Sequence, residues 1–114
     1  MTSLSQLLHE RELLLDEMAQ LGPMRKGSVS EFSIPSRRKN GTRQVRGPYR
    51  KYTVKKHNKT QGRHLKTKDE ADLYRRQIEQ YRHFEKLAAR FVDIGEQMAD
   101  LEASETDAKK NSKS

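Results

Sequence analysis

The side chains whose type and spacing could do chemistry in this chain are its cations. Arg37, Arg38, Lys39, Arg43, Arg46, Arg50, Lys51, Lys55, Lys56, Lys59, Arg63 and Lys66 follow one another in a single stretch. Neutralising a run of phosphates needs clustered, mobile cations, and arginine adds a forked donor set for a phosphate or a guanine edge. Tyr49 and Tyr52 are interleaved with Arg50 and Lys51. A ring so placed could stack on a base or lie against a sugar. Alternation along a strand makes Tyr52 the core residue, and leaves Tyr49 open as either a contact or a packing group. The chemistry expected is the binding of a polyanion.

The charge is segregated as well as positive. Between Met24 and Lys66 stand fourteen Lys or Arg against one acid, Glu31, a net +13. The other residues carry ten bases and fifteen acids, a net −5, which gives the whole chain its +8. An even spread of positive charge would serve solubility alone. A concentrated one makes a cationic face, and such faces meet nucleic acid or other polyanions.

Catalytic patterns do not emerge. The acids near the chain ends alternate with Lys and Arg at helical spacing, as surface ion pairs do. There is no glycine-rich phosphate loop and no nucleophile elbow, and Glu31 is a lone acid where a nuclease would need two or three. The four histidines are His9, His57, His64 and His83. His57 and His64 could meet across a hairpin, but no acid or thiol lies near to complete a metal site. The expectation is a non-enzymatic protein with no catalytic residues, metal or cofactor.

Composition bounds the architecture that presents these cations. Of 114 residues, 32% are hydrophobic, 35% are charged, and Trp and Cys are absent. So little apolar area cannot fill a large core, which leaves elongated helices sharing a narrow seam, or partial disorder. Without cysteine there are no disulfides or thiolate sites. Met1 to Ser5 lacks the basic start of a secretory signal, and no apolar run reaches membrane-spanning length. A soluble, cytoplasmic protein is expected, nucleoid-associated if its partner is DNA.

Four segments follow from periodicity. Residues 1–22 read as a helix from about Ser3 to Leu21, with Leu7, Leu14 and Leu21 every seventh position and Leu8 and Leu15 widening the stripe. Gly22-Pro23 stops it. Residues 23–66 form a basic β-ribbon of two or three strands, its flexible loop running from Arg37 to Arg46. Alternation puts Phe32, Ile34, Tyr52, Val54 and Leu65 on the inner face, and Tyr49, Lys51, Thr53 and Lys55 on the outer one. Residues 67–103 form a long helix opened by a capping box of Thr67 and Glu70. Its seam combines Leu73, Gln80, Leu87, Ile94 and Leu101 with Gln77, Phe84, Phe91 and Met98, and the glutamines either loosen packing or fix register. Residues 104–114 form a disordered tail.

The fold class expected is therefore α+β, mostly α: two long helices in an antiparallel coiled-coil-like hairpin joined by a small basic ribbon. Because the first helix is shorter, apolar surface is left on the second. Phe84, Leu87, Phe91 and Ile94 are expected to recruit another copy, giving a homodimer or higher oligomer.

Gly22-Pro23, Gly27-Ser28-Val29-Ser30-Glu31, Gly47-Pro48-Tyr49 and a final helix rich in Tyr and Arg occur in that order. This arrangement resembles a group of short, functionally uncharacterised bacterial proteins. They carry a Gly-Ser-Leu-x-Glu turn, a cysteine cluster, a His-Gly-Pro-Tyr signature and a closing coiled-coil helix, and are often encoded beside transposases. The similarity covers about Leu4 to Met98. Where that group places its cysteines, this chain has Ser33-Ile34-Pro35-Ser36-Arg37-Arg38-Lys39, and Arg46 stands in place of the His. A metal knuckle is thus not carried over. The resemblance implies a helix–ribbon–helix layout and a setting among mobile elements.

Together these features predict a DNA-binding accessory protein of a mobile-element or phage-like system. The nucleic-acid residues are the twelve cations named above with Tyr49. Two alternatives stand beside it: an RNA or ribonucleoprotein binder, which the same side chains would serve, and a helical adaptor that recruits a recombinase or transposase.

Overall fold

The computed structural model describes residues 2–37 and 41–112, with side chains for 2–35 and 41–106. Helix α1 (Leu4–Ala19) is followed by strands β1 (Ser28–Arg37), β2 (Arg43–Lys56) and β3 (Lys59–Leu65), then by helix α2 (Lys68–Ser112). The strands form one antiparallel sheet in the order β1-β2-β3. The class is α+β and mostly helical, as the sequence suggests. The chain divides into two compact units, one of 1–21 with 82–114 and one of 22–81.

In the first unit, Ser3 starts α1. Its hydroxyl accepts the Gln6 backbone N–H at 3.2 Å, while Gln6 Oε1 accepts the Ser3 N–H at 3.0 Å. This reciprocal cap satisfies two donors that a helix start leaves free. Leu7 and Leu14 of α1 are buried with Leu87 and Ile94 of α2, and Met18, Leu21, Phe91, Met98 and Leu101 pack around them. Each fully buried aliphatic side chain contributes about 1.5–3 kcal/mol. The stripe is narrower than expected, because Leu8 and Leu15 are 36% and 46% exposed.

That cluster takes up residues expected to recruit a second copy. Leu87 and Ile94 are 7% and 0% exposed within a single chain. The apolar area reserved for a second copy is already covered by α1, with Phe91 packed on the same cluster and Phe84 half-buried. The expected tail from 104 is helical as far as Ser112, since Ala, Glu and Lys after position 102 are strong helix formers with no Gly or Pro among them.

In the second unit, Tyr52, Val54 and Leu65 of the sheet pack on Ala71, Tyr74 and Ile78 of α2, with Val29 against them. Spacings of three and four place those helical residues on one face. Leu73, expected in the seam, is 42% exposed. A sheet needs a broad face at the 3.6-residue period, so the seam's seven-residue repeat does not extend here. His57 and Asn58 join β2 to β3 at φ 52° and 63°. Two consecutive left-handed residues suit the tight hairpin turn whose twist matches that of the strands.

Register decides the faces of β1. Val29 lies opposite Tyr52 and Phe32 opposite Tyr49. Direct partners share a face, so Val29 points inward and Phe32 outward. Phe32 and Ile34, both expected inside, are 38% and 48% exposed. The alternation read from β1 alone was one residue out of phase with β2, and the register shifts again between Phe32 and Ile34.

The linker before β1 is tied to the helix by the two glutamines. Gly22 N–H donates to Gln80 Oε1 at 2.9 Å, and Arg25 Nε donates to Gln77 Oε1 at 3.0 Å. Gln77 and Gln80 thus anchor the incoming chain. The Tyr52 hydroxyl donates to the Lys26 carbonyl. Gly27 follows at φ +116°, where an added Cβ would lie 2.5 Å from the Thr53 carbonyl oxygen. At the start of α2, Thr67 Oγ1 accepts the Glu70 N–H at 3.1 Å. The return bond of the expected capping box goes elsewhere: the Glu70 carboxylate accepts the Lys66 N–H at 3.3 Å.

Candidate nucleic-acid interface

The sheet sorts its residues by parity. On β2, Arg50, Tyr52 and Val54 face the helix, while Tyr49, Lys51, Thr53 and Lys55 face away, as alternation predicts. Pairing with β3 sets Lys51 opposite His64, Thr53 opposite Gly62 and Lys55 opposite Thr60. With Ser28, Ser30 and Phe32 of β1, these residues form an outer face among the described residues, on the side away from Tyr52, Val54 and Leu65, which pack against the helix.

Three rings cross that face. Phe32 and Tyr49 have centroids 5.7 Å apart at an interplanar angle of 35°. Tyr49 and His64 are 6.4 Å apart, edge to face at 75°. Phe32 and His64 are exposed and Tyr49 is half-buried. Lys51 lies beside the row, its stem crossing Gly62, where an added Cβ would come 2.6 Å from Lys51 Cε.

The expected cations separate into three groups. Arg43, Arg46, Lys51, Lys55, Lys56, Lys59 and Lys66 are exposed, and no acid pairs with their side chains among the described residues. Arg50 and Arg63 are engaged. Arg50 turns inward and lies 3.9 Å from Glu31, and Arg63 lies 3.7 Å from Glu70. Of the expected cations with described side chains, Arg50 is thus turned to the helix-facing side, with its side chain 18% exposed beside Glu31. Arg38 and Lys39 lie outside the described residues. Arg37 pairs through its backbone with Arg43, and its side chain is not described.

The solitary acid of the basic segment has a structural place. Glu31 faces inward, between Arg50 and Arg75, the latter at 3.6 Å. Its negative charge is thereby kept off the outer face.

Beyond Tyr49 the sheet narrows to two strands. Ile34 pairs with Arg46, Pro35 with Val45, Ser36 with Gln44 and Arg37 with Arg43, while β3 pairs β2 only from Arg50 to Lys56. Arg37 and residues 43–46, expected in the loop, thus belong to β1 and β2, and β2 begins well before Tyr49. Gly47 sits inside β2 at φ +124°, where an added Cβ would lie 3.0 Å from the Tyr49 nitrogen and 3.2 Å from the Phe32 carbonyl oxygen. Val45 at the ribbon edge is 68% exposed.

The sequence suggests a solvated or phosphate-contacting place for His64 and an inner one for Phe32, but not the position of either ring beside Tyr49. His64 was legible in part, because the two-residue His57-Asn58 turn fixes its position opposite Lys51. Phe32 was not, since only the pairing register places it beside Tyr49. His57 sits in the turn and His64 near the far end of β3, so the two do not meet. Among the described residues no three His, Asp or Glu side chains stand close enough to hold a metal ion, and no helix is long and apolar enough to cross a membrane.

No known protein family, curated protein or solved structure matches this chain.

Proposed function

We propose that this chain is a non-enzymatic nucleic-acid-binding accessory protein, with DNA the favoured partner, that grips phosphates through its sheet and ribbon. One observation carries the reading: among the described residues seven cations of the segment stand exposed with no acid beside them, Lys51 and Lys55 on the outer face of the sheet. The segment's one acid, Glu31, is held on the helix-facing side between Arg50 and Arg75. A solubilising surface would intersperse both signs. The two-stranded extension bearing Arg43 and Arg46 has the width that a major groove accepts. In this reading α1 and the later turns of α2 form an antiparallel coiled-coil-like hairpin that serves as the scaffold. A cytoplasmic role in a mobile element is part of this reading.

The test is binding measured across a salt series. With about five to eight phosphate contacts, affinity for DNA should fall several hundredfold or more between about 50 and 200 mM salt. Replacing Lys51, Lys55 and Lys59 with Ser should flatten the slope of log K against log salt by up to about three contacts' worth. Weak, salt-insensitive binding by both proteins would remove the reading.

A second reading has an observation of its own. Leu4, Leu8, Leu13 and Leu15 of α1 are 46%, 36%, 55% and 46% exposed, which favours a helical adaptor that docks a protein such as a recombinase. Such an adaptor would bind its partner equally well after the three lysine substitutions.

A further inference from the structure

The Phe32–Tyr49–His64 row is more than a phosphate-binding face requires. Cations alone hold a backbone; rings spread across an open sheet add flat apolar surface, which is costly to leave in water. Cross-strand pairing would justify Phe32 with Tyr49, but not a third ring left exposed on the neighbouring strand.

We propose that this row is a stacking platform for the unpaired bases of a single-stranded nucleic acid, with Lys51 and Lys55 holding its backbone. The inference rests on the nucleic-acid reading of the same face and assigns the strandedness of the partner. Two features select unpaired bases. First, the ring centroids are spaced at 5.7 and 6.4 Å, well beyond the ~3.4 Å rise between stacked bases of a duplex strand. Bases set on such a row are parted from one another. Because Tyr49 and His64 stand edge to face at 75°, while Phe32 and Tyr49 are tilted by 35°, the rings do not offer one continuous flat stack. Second, a duplex hides its base faces inside the stack and offers a sheet only backbone and groove edges. Only a single strand can present flat faces to rings.

The surroundings suit that ligand. Lys51 flanks His64 directly and Tyr49 at one residue's remove on its own strand, and Lys55 continues the same outer row. The Gly62 position leaves the space in which the Lys51 stem lies, keeping that cation low beside the rings. Ser28, Thr53 and Thr60 share the face and supply hydroxyls for base edges or phosphates, while the Ser30 hydroxyl donates to the Lys51 carbonyl at 3.4 Å. Stacking of this kind tolerates any sequence, because every base has a π-face.

The experiment uses the full chain and three probes of equal length. These are a DNA single strand with a central 2-aminopurine, its RNA counterpart, and the DNA strand in duplex. Wild type should bind single strands more tightly than duplex and quench the 2-aminopurine emission. Tyr49→Leu and Phe32→Leu keep apolar bulk on a strand and remove the π-face. Each should weaken single-strand binding roughly 5- to 150-fold and abolish quenching, while duplex affinity and salt slope stay unchanged. Tyr49→Phe should bind and quench as wild type does, and circular dichroism should show all variants folded. The DNA and RNA arms assign the source of the strand, and preference for either supports the platform. Equal, salt-dependent binding of single strand and duplex, untouched by the leucine variants, would overturn the platform and leave the nucleic-acid reading standing. Absence of binding to every probe would overturn both. A wild-type dimer that the leucine variants convert to monomer in sedimentation, without a change in binding, would reassign the face to a second copy.

Discussion

Arg25 is bound twice to Gln77: its Nε donates to the side-chain Oε1 at 3.0 Å, and its backbone N–H donates to the carbonyl oxygen at 3.1 Å. The guanidinium carbon then lies 4.1 Å from the Tyr74 ring centroid and 5.2 Å from that of Tyr52, whose own rings meet edge to face at 5.0 Å. Arg25 belongs to the basic segment by sequence and to the core by contact. It joins the linker, the sheet and the helix of one unit.

Arg25→Ala should therefore destabilise the fold by roughly 1–3 kcal/mol, through a lost charge-assisted hydrogen bond and a lost cation–π contact. Gln77→Ala should cost about 1 kcal/mol, and the double variant less than the two losses added, because both remove one interaction. Urea unfolding followed by circular dichroism measures all three. Strict additivity would show that the side-chain bond does not form in solution.

Gly27→Ala should lower stability by more than about 1 kcal/mol. An L-residue at φ +116° is strained, and the new methyl would meet the Thr53 carbonyl and the Tyr52 ring. Gly95→Ala is the control, since an added Cβ there meets nothing within 4 Å. At that helical position alanine should be neutral or stabilising, by up to about 1 kcal/mol. Thermal melts of the two variants should move in opposite directions.

Two ion pairs offer a contrast in which distance misleads. Arg90 and Glu10 approach to 2.6 Å, but both side chains are largely exposed, at 48% and 41%. Glu10→Gln should change stability by less than about 1 kcal/mol. Glu31 sits farther from Arg50, at 3.9 Å, yet Arg50 is only 18% exposed and its Nε is buried without a partner. Removing the acid strands that charge, so Glu31→Gln should be the more damaging variant, by about 1–2 kcal/mol after allowance for the exposed carboxylate. Chemical denaturation of the two single variants decides the order.

Ile94→Ala should cost about 2–5 kcal/mol, because the side chain is fully buried and its loss leaves a cavity against Leu7 and Leu14. Leu15→Ala, at an exposed position of α1, should change stability by about 0.5 kcal/mol or less. Light scattering should report the same mass for wild type and the Leu15 variant. A large loss on truncating Leu15, or a drop in mass, would show that a second copy covers that leucine in solution.

Much of this molecule is local, and the local part was readable. Leucines seven apart in α1 and the Thr67 start of α2 each depend on residues a few positions apart. So did the inward phase of Tyr52, Val54 and Leu65, since a single strand alternates by itself. By contrast, α1 ends at Ala19, before the Gly22-Pro23 expected to stop it, and β3 begins at Lys59, earlier than expected. The concentration of +13 between Met24 and Lys66 needed no structure.

Other features depended on which distant residue came opposite which. Phe32 joins Tyr49 and His64 only because β1 pairs with β2 in one register, and a shift of one residue would turn its ring inward. Leu87 and Ile94 present an open seam in sequence, and α1 fills it in the fold. Arg50 and Lys51 are adjacent cations of equal promise as a string of letters. The pleat sends one toward Glu31 and the core, and leaves the other in water beside the rings. Sequence determined how many charges and rings this protein carries and the period of each element. Tertiary pairing decided which of them face outward together, because a face is shared across strands and helices that no local pattern can align.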